Sequence, residues 1–501
     1  MANQTLIRGA GILCHVSSLW GEYGIGSLGK EAYKFADFLY KSGVKYWQIL
    51  PTVQTGYGDS PYQSVCASSG NPYFIDLEDL FARGLLTKDE LDSAKCSCDK
   101  VDYCALYENR YALLKRAYSR FNLDDDDFKA FVQSGEYDDY ALFMSLKERY
   151  GCSFAELPTA YKFRESLALD EFRQSVYESD YCFWLFLQYT FKNQWQKLKK
   201  YINNLGIKLI GDLPLYVAYD SADVWANPTL FKLDEDLKPT LVAGVPPDYF
   251  SATGQLWGNP VYDWQAIKDS DFEWWTNRIK KAQETYDVIR IDHFRGLDRY
   301  FAIEYGKETA EQGEWLDGPK DELFAKIYEK VGDVCIIAED LGVLDDGVIA
   351  LRDGLNLPGM NILLFAFDGD ENNAYLPHNV VQNSVTYTGT HDNATALGFL
   401  NGLDKTQFKQ FKSRLRKALA SQGVYYPMTD RKDVVQALII CALNTISNVA
   451  IVPVQDVLAL DDDCRMNTPS TDKNNWQFRL KQMPTRQTKA ILKQLIKNSN
   501  R

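Results

Sequence analysis

The sequence predicts an α/β fold: a closed (β/α)8 barrel with helical and loop subdomains inserted between its strands. Three observations predict it. Eight short apolar runs are spread along the 501 residues, most of them continuous, as in strands buried on both faces. Helix-like segments lie between most of the runs, the alternation that builds a parallel sheet. Three runs end in a carboxylate: Asp292 in RIDHF, Glu339 in CIIAED and Asp392 in VTYTGTHD. Barrel strands end on one common face, so such groups can converge there.

The first run, residues 11–15 (GILCH), is too short for a secretory leader and reads as an opening strand. A helix-like stretch, 35–43, follows it, and 46–50 (YWQIL) is the second run. Residues 51–205 far exceed an ordinary βα connection. They read as a mostly helical inserted subdomain, with the acidic stretch 124–127 as a solvated helix start. The third run is 208–213 (KLIGDL). A second insertion, 214–286, carries a Gly-, Pro- and aromatic-rich lid at 244–260 and ends in the helix-like 272–286. Runs at 288–293, 334–339, 361–367, 385–390 and 449–454 complete the eight. The apolar stretch 434–460 is interrupted by Gln436, Asn444, Asn448, Pro453 and Gln455, so it reads as a buried helix and a strand, not a membrane span. No linker divides the chain, and residues 1–501 read as a single catalytic barrel. Gly24-x-Gly26-x-x-Gly29 has dinucleotide-loop spacing, but it sits well past the first run and lacks the acidic residue expected after a second strand.

Composition narrows the function. The chain has 55 basic and 68 acidic residues, a net charge of −13. That opposes nucleic acid and anionic membranes as partners and leaves a neutral substrate unopposed. Aromatics make up 14%; most suit core packing, and a minority in Gly/Pro-rich loops suits stacking on sugar rings. Cys96, Cys98 and Cys104 lack zinc spacing, and only four histidines exist. The ten cysteines are expected to be free thiols in a reducing cytoplasm. No metal and no cofactor is expected, since no clustered Asp loop suits calcium either.

The strand ends carry the chemistry. Arg290 and Asp292 alternate onto one face, inward in a barrel, where the guanidinium is expected to hold the carboxylate ionised and oriented. A buried Arg–Asp pair serving only stability reads equally well from these two residues alone. Glu339, ending an apolar strand near a like charge, should bind its proton more tightly, as a general acid requires. A helix cap is the alternative, and Asp340 suits that better. His391 and Asp392 offer paired hydrogen bonds to sugar hydroxyls. No G-x-S-x-G elbow or H-E-x-x-H accompanies them. Asp212, in IGDLP, ends the third strand similarly and reads as a sugar-hydroxyl ligand or a turn residue.

Further blocks surround these residues: YGIGSLG at 23–29, WQILP at 47–51, GYGDSPYQS at 56–64, GNP at 70–72 and IGDLP at 210–214. Then come GVPPDYFSATGQLWGNPVYDW at 244–264, RIDHFRG at 290–296, AEDLG at 338–342, GTHDN at 389–393 and RMNTP at 465–469. In this order they resemble the 4-α-glucanotransferases (amylomaltases or disproportionating enzymes) of glycoside hydrolase family 77, in the α-amylase clan. The likeness runs from Leu6 to Leu480.

The resemblance implies Asp292 as nucleophile, Glu339 as acid/base and Asp392 as transition-state stabiliser. It implies Arg290, His293, His391 and Asp212 in the reacting subsite. Tyr57, Asp59 and Ser60 match a cleft-lining loop. Asp248, Tyr249 and Phe250 fall in a flexible lid, Trp257 is a sugar platform, and Asn467 joins the substrate-binding set. The implied partners are α-1,4-glucans as donor and acceptor, joined by a retaining double displacement whose carboxylates sit about 5 Å apart. Gln54 stands where the family usually has Pro, Ser470 where it has Gly, and Val16-Ser17-Ser18 where many have a Pro-Thr-Ser-type start. None of these touches a carboxylate. An α-1,4-glucan hydrolase of the same clan and a non-catalytic glycan-binding scaffold are the alternatives. The expected location is cytoplasmic, with a mature plastid protein as the other reading.

Overall fold

Eight parallel strands build the barrel: β1 (Gly9–Leu13), β2 (Tyr46–Gln48), β3 (Lys208–Leu213), β6 (Val288–Ile291), β9 (Ile336–Ala338), β10 (Gly359–Ile362), β11 (Ser384–Tyr387) and β12 (Val449–Pro453). The numbering leaves room for β4 (Leu241–Val245), β5 (Gln255–Pro260), β7 (Arg299–Glu304) and β8 (Glu314–Asp317), which form a separate antiparallel sheet. The structure is a computed structural model that describes residues 4–247, 251–342, 344–471 and 473–501, with only the backbone at Tyr57.

The barrel strands run in the order β10-β11-β12-β1-β2-β3-β6-β9. The N–H of Ala338 donates to the carbonyl of Pro358 (3.0 Å), bringing β9 against β10 and drawing the ring together. Both strand faces are covered, which is why the runs are continuously apolar and not alternating. All five residues of β1 and of β12 are buried.

The observed strands are shorter than several of the apolar runs. The run 361–367 was expected to be strand, yet only its first two residues are; Leu363–Phe365 is a 3-10 turn whose Leu363 and Leu364 are buried. Apolarity reports burial, and burial continues past the last ladder hydrogen bond. The same applies at 288–293, 334–339 and 385–390, so the functional residues lie just beyond the strands, in the turns that leave them.

Helices cover the barrel. Lys30–Ser42 follows β1 and ends on Gly43, whose φ of +83° is the left-handed cap that glycine adopts without strain. Cys182–Asn204 precedes β3 and packs on it and on Lys30–Ser42. Glu273–Thr285 precedes β6, Lys320–Lys330 precedes β9 and Asp346–Gly354 precedes β10. Arg431–Leu443, nine of its thirteen residues buried, precedes β12. Gly211 in β3 leaves no free room for a side chain: a Cβ there would lie 2.1 Å from the Tyr286 ring, so something must shift.

Helices dominate the segment between β2 and β3. Asp125 caps Asp126–Gln133 by accepting from the N–H of Phe128 at 2.9 Å. Cys96 and Cys98 are joined by a disulfide, while the other eight cysteines are free. This corrects the expectation of ten free thiols. The N–H of Cys96 is tied to the carbonyl of Glu22 (2.6 Å), and the two Cα atoms are held 5.5 Å apart, within bridging range.

The antiparallel sheet runs β5-β4-β7-β8, so it joins residues from before and after β6. It has a small core of its own, Val242, Phe301, Ile303 and Ala310. Among the described residues no helix is long and apolar enough to cross a membrane, and no group of three or more His, Cys, Asp or Glu could hold a metal ion.

Candidate active site

The register of two neighbouring strands sets the site. Ile291, last residue of β6, pairs with Ala338, last residue of β9. The next residues, Asp292 and Glu339, therefore leave the barrel side by side. Their backbones are fixed by N–H bonds from Asp292 to the Leu213 carbonyl, from Glu339 to the Ile291 carbonyl and from Phe294 to the Glu339 carbonyl, each 3.0 Å. After Asp292 the chain reverses through His293, whose φ of +49° is left-handed, an uncommon state for a residue with a Cβ. The turn aims the His293 N–H at Glu339 Oε2, 2.7 Å away. The N–H of Leu341 meets Oε1 at 3.2 Å.

Arg290 lies beneath, 3% exposed. Its Nη1 donates to Asp212 Oδ1 and Oδ2 (2.7 and 2.6 Å) and to Asp292 Oδ1 (3.0 Å). The Asp212 side chain has 0% exposure and that of Asp292 has 28%. Asp212 is thus set behind Arg290, its oxygens already engaged, while Asp292 faces the cleft.

The opposite wall is a hydrogen-bonded relay. Tyr62 gives its phenolic proton to Asp212 Oδ2 (2.8 Å), so its oxygen accepts from His391 Nε2 (2.9 Å). The two rings stack at 5.3 Å and 10°, and Trp476 lies against both. Asp392 follows His391, whose Nε2 is 3.3 Å from Oδ2. Asn467 Nδ2 donates to Asp392 Oδ1 at 2.7 Å, and Arg465 Nη2 holds the Asp392 carbonyl at 2.6 Å.

Burial dominates the electrostatics. It raises Asp292 to about 7, with Arg290 opposing and Asp212 and Asp392 adding their like charge. Arg290 orients Asp292 as expected and favours its ionised form, but burial outweighs that effect. Glu339 is raised further, to about 8, by burial; Arg290 again opposes and Asp292 contributes. Burial, with Arg295 nearby, lowers His293 to about 4. Burial also lowers His391. Both imidazoles are neutral near pH 7.

Trp257 stands edge-on to His293, ring centres 4.8 Å apart at 88°, with Tyr216 beside both. Ser60 accepts from the N–H of Tyr62 on its hydroxyl (3.2 Å) and from that of Gln63 on its carbonyl (3.2 Å). It shapes the turn that presents Tyr62. Asp59, left-handed at φ +58°, faces Tyr73 and Tyr103, and burial raises its carboxyl. The Tyr57 side chain and Asp248, Tyr249 and Phe250 lie outside the described residues. Asp340 is no helix cap: it accepts from Arg352 (2.5 Å) and the Met360 N–H (2.7 Å), tying β9 to β10, and Asp345 caps the following helix.

The arrangement joins two adjacent carboxyls of near-neutral proton affinity, a third carboxylate, neutral imidazoles and aromatic walls. This set can break and remake a bond at an uncharged, ring-shaped substrate. Residues 14–485 match the family described as 4-alpha-glucanotransferase. The chain belongs to the 4-alpha-glucanotransferase family. It is 44% identical over 474 residues to the 4-alpha-glucanotransferase of Clostridium butyricum, covering 93% of this chain and 95% of that one. The identity is also 44% to that of Thermus thermophilus, over 95% of both. A solved amylomaltase from Streptococcus agalactiae, in complex with acarbose, superimposes with a TM-score of 0.92 at 39% identity over 99% of both chains. Amylomaltase from Corynebacterium glutamicum, at 18% identity and a TM-score of 0.80, shares the fold.

In this 4-alpha-glucanotransferase family member, sequence reasoning missed three residues. Tyr62 and Arg465 lie inside blocks already singled out, and Trp476 lies a short way past the second of these. Tyr62 lies inside GYGDSPYQS, three residues past Asp59. What no spacing rule could supply is the fold-back that sets residue 62 against 212 and 391.

Proposed function

We propose that this 4-alpha-glucanotransferase moves a segment of an α-1,4-glucan to the 4-hydroxyl of an acceptor glucan or glucose, by a retaining double displacement. Asp292 is the nucleophile, Glu339 the acid/base and Asp392 the stabiliser of the transition state. The observation that carries the reading is the pairing of Ile291 with Ala338. It sets Asp292 and Glu339 on adjacent strands, whose ~4.8 Å spacing suits the short carboxylate separation of a retaining site.

Proton affinities support the division of roles. Glu339, at about 8, holds its proton near neutrality and can give it to the departing glucan oxygen. Asp292, held by Arg290 and open to the cleft, attacks the anomeric carbon in its ionised form. The ester so formed cancels the Asp292 charge. That charge is one cause of the high Glu339 value, so Glu339 then binds a proton less tightly and can accept one from the incoming 4-hydroxyl. Asp212 and Tyr62 orient Arg290 and His391, and Asn467 orients Asp392, which spans neighbouring sugar hydroxyls. The stabilised transition state is oxocarbenium-like. Trp257 supplies an apolar wall for the acceptor side.

The family match favours transfer over hydrolysis. We place the reaction in the cytoplasm, where the eight free thiols would stay reduced and the Cys96–Cys98 bridge would open. Pure maltotriose tests the reading. The expected products are glucose and longer oligomers, with no rise in total reducing ends; a steady rise would identify a hydrolase, and unchanged sugar a binding protein. Glu339→Gln should slow natural glucans by more than about a hundredfold and donors with activated leaving groups far less, since acid assistance is worth 10²–10⁴.

A further inference from the structure

Two insertions meet over the site through one pair of side-chain amides. Gln63 Nε2 donates to Asn259 Oδ1 (2.9 Å) and to the carbonyl of Trp257 (3.3 Å). Asn259 Nδ2 donates back to Gln63 Oε1 (3.4 Å) and to the carbonyl of Val217 (2.8 Å). Asn259 is 4% exposed. The pair thus ties together the loop after β2, the segment after β3 and strand β5.

The backbone is built to present it. In β5, residues 257–259 lie opposite Ala243 alone, because Val242 pairs with Pro260 and Gly244 with Leu256. Gly258 makes this bulge with φ +76°. At this bulge the Trp257 carbonyl and the Asn259 side chain both meet Gln63. Gln63 sits at the base of its loop, which the Thr55–Ser64 bridge closes. A Cβ at Gly56 would lie 2.4 Å from the Gln63 carbonyl, so the loop closes only around glycine.

Each amide neighbours a cleft wall. Tyr62, beside Gln63, reaches Asp212 and His391. Trp257 reaches His293. We propose that Gln63 and Asn259 are positioning residues: their amide pair holds the Tyr62 and Trp257 walls at one fixed separation, which seats the sugar acceptor in preference to water. The proposal rests on the transferase reading above.

The test uses the full-length enzyme with maltotriose, following glucose formation (transfer) and net reducing ends (hydrolysis). Gln63→Leu keeps the bulk and removes both donated bonds. Its KM should rise about tenfold, the worth of one to two such bonds, with kcat changed less and hydrolysis per transfer raised severalfold. Asn259→Gln alone should do likewise. The exchanged variant, Gln63→Asn with Asn259→Gln, conserves the total length of the pair and should return KM to within about threefold of wild type, a coupling that contact pairs show in double-mutant cycles. Melting curves establish that each variant is folded. Variants that lose only melting temperature, or an exchange no better than its worse single change, would overturn the latch. A wild type that transfers normally beside such variants leaves the transferase reading intact. A wild type that makes no longer oligomers overturns both.

Discussion

Glu339 concentrates the physics of the site in one residue. Its folded value of about 8 exceeds the ordinary 4.5 because burial and the Asp292 charge both disfavour ionisation. A carboxyl raised in the folded state binds its proton more tightly there than in the unfolded chain. Stability therefore falls as pH climbs from about 4.5 to about 8. Glu339→Gln removes that penalty: its melting temperature should exceed that of wild type at pH 8 and the two should converge at pH 4.5, readable by calorimetry across that window. Activity runs the other way. The acid limb of kcat/KM should follow Asp292 near 7 and the alkaline limb Glu339 near 8, as the two apparent values of a coupled pair. With an activated donor, Glu339→Gln should lose the alkaline limb and keep the acid one. Tyr62→Phe deletes the proton given to buried Asp212 and the oxygen that His391 meets. We expect kcat/KM to fall about tenfold or more, since a buried bond to a charged group is worth 1.5–3 kcal/mol.

At the scale of elements, the strand ends decide where chemistry can happen. The apolar runs made all eight barrel strands legible, and the carboxylates closing three of them were legible too. The boundaries were not. The run 361–367 stays apolar after its strand has turned, and Thr388 and Thr390 stay buried after theirs, because the turns themselves are buried. The antiparallel sheet was also illegible as one unit: β4 and β5 come before β6 in sequence and β7 and β8 after it, and pairing across that interval leaves no local period. Gly211→Ala probes the helix–strand packing. The added methyl meets Tyr286 at 2.1 Å in a closed core. Overpacking of this kind costs about 1–3 kcal/mol, so the melting temperature should drop and soluble yield with it, while any folded fraction keeps its KM for maltotriose.

At the scale of the molecule, the net charge of −13 bears on what can bind. The cleft holds acidic side chains and neutral imidazoles, and the proposed substrate is uncharged. The KM for maltotriose should therefore be nearly independent of ionic strength, since screening acts only on charged partners. A steep salt dependence would point to an ionic ligand.

Composition and motif determined much by themselves. Eight buried runs in alternation with helices argue for a parallel barrel, and the carboxylates ending three of them point to its rim as the place for its chemistry. Three-dimensional structure alone decided which groups share a proton and a counter-charge: that Arg290 serves Asp212 and Asp292 together, that Tyr62 joins Asp212 to His391, and that Gln63 meets Asn259. The reason is physical. Burial pattern is written locally, residue by residue, whereas a hydrogen bond between positions 63 and 259 or 62 and 391 depends on how long insertions fold back over the barrel, and nothing in either segment alone encodes its partner.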